Sequence, residues 1–124
     1  MKSGNEEVLI VIEQDIARVR MSTLLQQLGY RATAAATAPE AIKILSEGNR
    51  PDILLSDIVM HTLNGPALAD EARRSLPSLK VVYRAAHAAK ASFHNGALDP
   101  AVHILASDIT AAELAAVMRR ALED

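Results

Sequence analysis

Short apolar runs alternate with longer amphipathic stretches along most of this chain. Residues 8–12 and 53–55 are unbroken aliphatic runs, a pattern typical of strands that are buried on both faces. Weaker strand patterns fall at residues 31–36, 80–84 and 102–105. Because strands that alternate with helices pair in parallel through right-handed crossovers, the pattern predicts a single α/β domain with a parallel sheet.

Helix signals stand between these runs. Asp15 is placed to cap a first helix, which Gly29 would end. We expect the inward face of that helix to comprise Ile16, Val19, Thr23, Leu24 and Leu28. Thr37 and Thr110 each precede a glutamate by three residues, the capping-box spacing that opens a helix. Residues 85–101 lack helical periodicity, so we expect mostly loop there.

Composition narrows the class of protein. Aromatic residues make up only 2% of the chain against 50% hydrophobic residues, so the core must be aliphatic. The net charge is −2 and no lysine or arginine cluster stands out, which argues against a nucleic-acid partner. The chain has no cysteine, and no apolar run approaches the length that spans a membrane. We therefore expect a soluble cytoplasmic domain without a membrane partner.

One carboxylate stands at the end of the most buried strand. The apolar run at residues 53–55 is followed directly by Ser56 and Asp57. In open parallel sheets, chemistry collects just beyond the carboxyl ends of the strands, which makes Asp57 a candidate site residue. From this stretch alone, Asp57 is equally well explained as a cap of the following loop.

Residues 54–65 resemble a known motif. They read Leu-Leu-Ser-Asp-Ile-Val-Met-His-Thr-Leu-Asn-Gly, similar to the segment around the phosphoacceptor aspartate in receiver domains of two-component response regulators. That segment usually reads Leu-Leu-Asp-Ile-Met-Met-Pro-Gly-Met-Asp-Gly, and its last glycine is kept here as Gly65. Residues 94–102 resemble receivers attached to hybrid sensor histidine kinases, in which a loop often replaces the fourth helix.

The resemblance extends over residues 8–122 and implies a fold. The expected fold is flavodoxin-like (CheY-like), a doubly wound α/β domain with five parallel strands in the order 2-1-3-4-5. The fourth helix is expected to be short or replaced by a loop. Residues 1–124 would then form a single receiver domain.

The resemblance also implies a metal site and its ligands. In the family, Mg²⁺ is held by an acidic pair after the first strand, by the phosphoacceptor aspartate, and by a backbone carbonyl two residues beyond it. Here these positions fall on Ile12 and Glu13, on Asp57, and on the carbonyl of Val59. Hard cations need several oxygen ligands, and Ile12 supplies none. We therefore expect Asp57 as the phosphoacceptor position and a weakened Mg²⁺ site.

Three further family positions have changed. The hydroxyl that ends the fourth strand falls on Ala85, the lysine that ends the fifth on Ser107, and the aromatic switch residue on Ile104. Each lost contact would cost a bound phosphoryl group on the order of 1–3 kcal/mol. Arg84 is placed to swing its guanidinium towards Asp57 and to substitute for both lysine and metal; the alternative is a solvated arginine.

These observations predict a non-enzymatic receiver of a two-component phosphorelay with a degenerate site. It would act as a regulatory or docking module for a histidine kinase or a histidine phosphotransfer protein, with the first and last helices as the docking faces. Two alternatives stay open: a conventional receiver phosphorylated on Asp57, and a ligand-sensing pseudo-receiver whose pocket binds a small anion or nucleotide. Homodimerisation through the alanine-rich last helix also stays open.

Overall fold

A sheet of five parallel strands lies at the centre of this computed structural model, which describes residues 6–85 and 103–123. The strands are β1 (Glu7–Val11), β2 (Arg31–Ala35), β3 (Ile53–Asp57), β4 (Lys80–Ala85) and β5 (His103–Ala106). Their order in the sheet is β2-β1-β3-β4-β5, and every neighbouring pair is parallel. The predicted strand order is therefore confirmed.

Helices cover both faces of the sheet. They are α1 (Asp15–Gln27), α2 (Ala38–Ser46), α3 (Gly65–Ser75) and α4 (Ala111–Glu123). One apolar cluster joins Val8 and Ile10 to residues of α1 and α4, and a second joins Leu9 and Val11 to residues of α2 and α3. Alternate residues of β1 thus enter opposite layers, as expected for a strand buried on both faces.

The predicted inward face of α1 is wrong at three positions, because Ile16, Val19 and Thr23 are all exposed. Ile16 is 80% exposed and Val19 is 63% exposed, whereas Met21 and Leu25 are buried. With 3.6 residues per turn, Ile16, Val19 and Thr23 share one face of the helix, and Leu24 and Leu28 share another. The prediction had placed residues of these two faces on a single inward face. As a result, α1 presents two large apolar side chains to solvent.

Several element boundaries differ slightly from the predictions. Ala85 ends β4 instead of beginning a loop, and β5 runs from His103 to Ala106. The loop expected between these strands, and with it the short or missing fourth helix of the family, falls on residues 86–102, outside the described residues. Among the helices that are described, none is long and apolar enough to cross a membrane.

Candidate functional site

The carboxyl ends of the strands bring the candidate residues to one edge of the sheet. Asp57 is the last residue of β3, and in the strand register it is paired with Arg84 of β4. Glu13 lies just beyond the end of β1, and Ser107 just beyond the end of β5. Chain segments that are far apart in sequence therefore converge on Asp57.

Both carboxylate oxygens of Asp57 are engaged by protein groups. Nη1 of Arg84 lies 2.7 Å from Oδ1, and the backbone N–H of Glu13 donates to Oδ2 at 3.3 Å. The two side chains are sheltered from water, with Arg84 13% exposed and Asp57 12% exposed. A charge-assisted contact in such surroundings is stronger than an ion pair in open solvent. The alternative of a solvated Arg84 does not describe this structure.

The backbone that follows Asp57 is tightly constrained. The hydroxyl of Ser56 donates to the Asp57 carbonyl at 2.8 Å, and the N–H of Gly65 donates to the Ile58 carbonyl at 2.7 Å. A Cβ at Gly65 would collide with the Asp57 carbonyl oxygen and would lie 3.1 Å from the ring of Tyr83. Gly65 is therefore required because α3 begins directly against the end of β3.

Glu13 is held by His61 from the loop between β3 and α3. The backbone N–H of His61 donates to Oε2 of Glu13 at 2.9 Å, and Nδ1 of its ring lies 2.9 Å from Oε1. The backbone hydrogen bond is the main reason why the pKa of Glu13 lies below that of an ordinary glutamate. His61 stands where the receiver motif usually has proline, which has no N–H and cannot make this contact.

Arg18 fixes the loop that carries Glu13. Its Nη1 donates to the carbonyls of Ile12 at 2.9 Å and of Glu13 at 3.3 Å, and its Nη2 lies 2.5 Å from Oδ1 of Asp15. Sequence reasoning did not single out this arginine. Its position three residues after Asp15, on the first turns of a helix, was the available signal.

The four changed family positions surround this cluster without entering it. Ile12 and Ala85 are buried, and Ile104 packs against the cluster that includes residues of α2 and α3. Ser107 lines a cavity next to Arg84. None of these four side chains is a hydrogen-bond donor or acceptor to Asp57 in the described residues. The cation next to Asp57 comes instead from β4.

The donor groups as arranged do not fit a Mg²⁺ ion. Both oxygens of Glu13 face His61, and both oxygens of Asp57 accept hydrogen bonds from the protein. Val59, the third family ligand through its carbonyl, lies in the following loop with its side chain 69% exposed. In residues 6–85 and 103–123, no three His, Cys, Asp or Glu side chains are grouped to hold a metal ion. A metal would have to displace these contacts before binding.

Comparison with known families gives a match over most of the chain. Residues 8–119 match the response regulator receiver domain family. This chain belongs to that family. The receiver is a signalling module of two-component systems, and the order of its five strands agrees with this membership.

Individual relatives of this receiver include a hybrid kinase. The chain is 33% identical over 122 residues to the sensor kinase CckA of Brucella abortus (strain 2308), covering 98% of this chain but only 13% of that protein. The receiver domain of a hybrid histidine kinase CckA superposes with a TM-score of 0.76 at 27% identity, over 94% of this chain and 98% of that one. A receiver protein from Sinorhizobium medicae WSM419 gives a TM-score of 0.82 at 27% identity, over 96% and 95%.

The pKa of Glu13 in this receiver should depend on the residue that follows Met60. We expect His61→Pro to raise that pKa towards an ordinary value, because the variant removes the backbone donor that chiefly lowers it. His61→Ala keeps the N–H and should retain most of the lowering. The side-chain carboxyl resonance of Glu13, followed by NMR against pH, measures both.

The lowered pKa of Glu13 also makes the stability of the protein depend on pH. Because the pKa of Glu13 is lowered on folding, the contact with His61 stabilises the protein above the unfolded pKa and is lost as pH falls through the folded pKa. The difference in stability between the native protein and His61→Pro should therefore shrink on acidification. An unchanged Glu13 midpoint in His61→Pro would contradict the assignment.

Proposed function

We propose that this receiver has a degenerate phosphorylation site, in which Arg84 takes the place of the family's metal and lysine. It works as a regulatory or docking module for a histidine kinase or a histidine phosphotransfer protein. The observation that supports this most strongly is the contact of 2.7 Å between the guanidinium of Arg84 and the Asp57 carboxylate. A fixed cation on Asp57 imposes a charge pattern that does not depend on phosphorylation.

The ion pair of Asp57 and Arg84 disfavours phosphoryl transfer to Asp57. Catalysis of that reaction rests on positioning the nucleophile and on cations that neutralise the developing charge on the phosphoryl oxygens. Here one oxygen of Asp57 is bound to Arg84 and the other to the N–H of Glu13. Ser107 brings no cation to the place where the family has its lysine. An incoming phosphodonor would have to break existing contacts and would find fewer compensating ones.

Weakened Mg²⁺ binding is part of the same proposal. Ile12 provides no ligand and is fully buried, and the remaining acid of the pair, Glu13, already accepts hydrogen bonds from His61. The lowered pKa of Glu13 means that its carboxylate is well satisfied by this neighbour. A metal ion that recruited Glu13 would lose those hydrogen bonds in exchange.

Phosphorylation with a small-molecule donor tests the proposal directly. Phosphoramidate is added with and without Mg²⁺, and the intact mass of the protein is followed over time, with Asp57→Ala as the control. We expect no metal-dependent adduct on a protein that circular dichroism shows to be folded. An adduct that requires Mg²⁺ and disappears in Asp57→Ala would instead establish the conventional receiver.

The docking role has its own prediction. Ile16 and Val19 are the exposed apolar side chains of α1, at the end of the helix near Glu13. Buried apolar anchors dominate protein interfaces, so Val19→Asp should weaken binding to a histidine phosphotransfer protein about tenfold or more. Gln27→Asp adds the same charge at the exposed far end of α1 and should leave the affinity unchanged. Equal losses in both variants would count against α1 as the docking face.

Homodimerisation and a cytoplasmic location remain predictions. The apolar stripe of α4 is buried within the domain, so a dimer would have to use the other face of that helix. The buried residues of the stripe are Leu114, Val117, Met118 and Ala121. Light scattering coupled to gel filtration, over a range of protein concentrations, measures the oligomeric state.

A further inference from the structure

A cavity of about 400 Å³ lies beside the Asp57–Arg84 pair, between α1 and the ends of β4 and β5. Its walls include Gln14 and Ala17 from the start of α1, and Arg20 from the next turn. Arg84 and Ser107 line the cavity on the side of β4 and β5. This volume is within the range of about 300–1,000 Å³ that small-molecule sites occupy.

The short side chain at residue 107 leaves this space open. Receivers usually carry a lysine at the position of Ser107, and a lysine side chain is longer by three heavy atoms and ends in an ammonium group. The serine hydroxyl leaves that volume free while keeping a hydrogen-bonding group in the wall. The cavity is therefore linked to the same substitution that removes the lysine from the phosphorylation site.

The charges around the cavity favour an anion. Arg84 uses Nη1 for Asp57, and no other hydrogen bond joins its guanidinium to the described residues, so further donors are available to a ligand. Arg20 has no carboxylate within ion-pair distance in the described part of the chain; its Nη2 donates to the Ile109 carbonyl at 3.0 Å, which holds the guanidinium at the rim. The arginine of α1 that does have an acidic partner, Arg18, is paired with Asp15.

The first turn of α1 adds to the positive charge around the cavity. Gln14, the residue before the helix, makes no side-chain hydrogen bond to the first-turn amides. An uncapped helix start carries a partial positive charge, and here it forms one wall of a cavity that already has two guanidinium groups. Arginine is well suited to phosphate because its planar fork of donors matches two phosphate oxygens.

We propose that this cavity binds a small organic phosphate, a phosphomonoester whose phosphate contacts Arg20 and Arg84 while its organic part fills the space beside Ser107. A phosphate group alone is much smaller than the cavity, which is why the ester is the better match. The cavity adjoins the docking face of α1, because Ile16 also lines it, and the site does not depend on whether Asp57 takes phosphate. Its occupation would bring a second partner to the Arg84 guanidinium.

Binding is tested on the full chain by NMR, with glycerol 3-phosphate, inorganic phosphate and glycerol as probes. We expect saturable shifts of the amides of residues 14–17 and 107 with glycerol 3-phosphate, weaker binding of inorganic phosphate, and none of glycerol. Arg20→Gln should weaken binding about tenfold by removing one arginine–phosphate contact. Ser107→Met fills the cavity without changing its charge, and should weaken binding at least as much.

Arg73 provides the matched control. Like Arg20, it donates to a backbone carbonyl, from Nε to Leu79 at 3.2 Å, but at the opposite end of β4 from Arg84. Arg73→Gln removes the same charge and the same kind of hydrogen bond, and should leave the affinity unchanged. No saturable shift, an equal loss in Arg73→Gln, or full affinity in Ser107→Met would each overturn the proposal. Equal affinity for inorganic phosphate would overturn the assignment to an ester.

Discussion

Rebuilding the family's ligand set should convert this receiver into one that is phosphorylated on Asp57 in a Mg²⁺-dependent reaction. The five substitutions are Ile12→Asp, His61→Pro, Arg84→Met, Ala85→Thr and Ser107→Lys. They return an acidic ligand, release Glu13, free the nucleophile, and restore the hydroxyl and the cation. If two or more restored contacts each contribute on the order of 1–3 kcal/mol, the rate should rise about 10²-fold or more over the native chain.

Two further variants make this result interpretable. Adding Asp57→Asn to the five substitutions should abolish the adduct, which places the phosphate on Asp57. Reverting position 84 to arginine in the rebuilt protein should slow the reaction again, which separates the effect of Arg84 from that of the missing ligands. Ile12 is fully buried, so thermal unfolding must confirm that each variant is folded. A native chain that already reacts as fast as the rebuilt one would refute the degenerate site.

Removing Arg84 alone should destabilise the protein more than removing both partners of the pair. In Arg84→Met, Asp57 stays in a sheltered position without its counter-ion, and loss of one partner of such a buried pair costs roughly 3 kcal/mol. The double variant Arg84→Met with Asp57→Asn removes the uncompensated charge and should recover much of the loss. Urea unfolding of the four proteins of this double-mutant cycle measures the coupling energy.

The pair of Arg74 and Glu71 on α3 is the control for that cycle. Their nearest charged atoms are 3.7 Å apart, and the side chains are 79% and 49% exposed. An exposed ion pair of this kind contributes about 0–1 kcal/mol, so Arg74→Met should change the free energy of unfolding by less than that. If Arg84→Met and Arg74→Met had equally small effects, the Asp57–Arg84 contact would not be a structural element of the domain.

The strands and the position of Asp57 were predictable because each rests on local patterns. An unbroken aliphatic run marks a strand covered on both faces, and its carboxyl end is where the sheet presents side chains to ligands. The two capping boxes were also readable, and in the structure Thr37 and Thr110 each accept a hydrogen bond at 3.2 Å from the amide three residues on. Such signals need only a few neighbouring residues.

The contacts made by the site residues were harder to predict from the sequence. Glu13 and His61 are separated by 48 residues and lie in two irregular loops, so no periodicity links them. The one available signal was a histidine where the receiver motif usually has proline. Arg84 was a candidate partner of Asp57 because of its place at the end of a strand, but a register that pairs the two residues directly is a property of the assembled sheet. The exposed Ile16 and Val19 were assigned to the wrong face for a similar reason, since a helix of mixed polarity does not reveal which side the sheet will cover.

The pairing of Asp57 with Arg84 has a consequence for timing. An acyl phosphate hydrolyses, so a phosphorylated receiver returns to its resting state at the rate of that hydrolysis. A cation supplied by the neighbouring strand is present from the moment the chain folds and does not decay. In a receiver governed by such a pair, the duration of each interaction is set by the dissociation of the partner. The strength of the signal is then set by how much of the protein the cell makes.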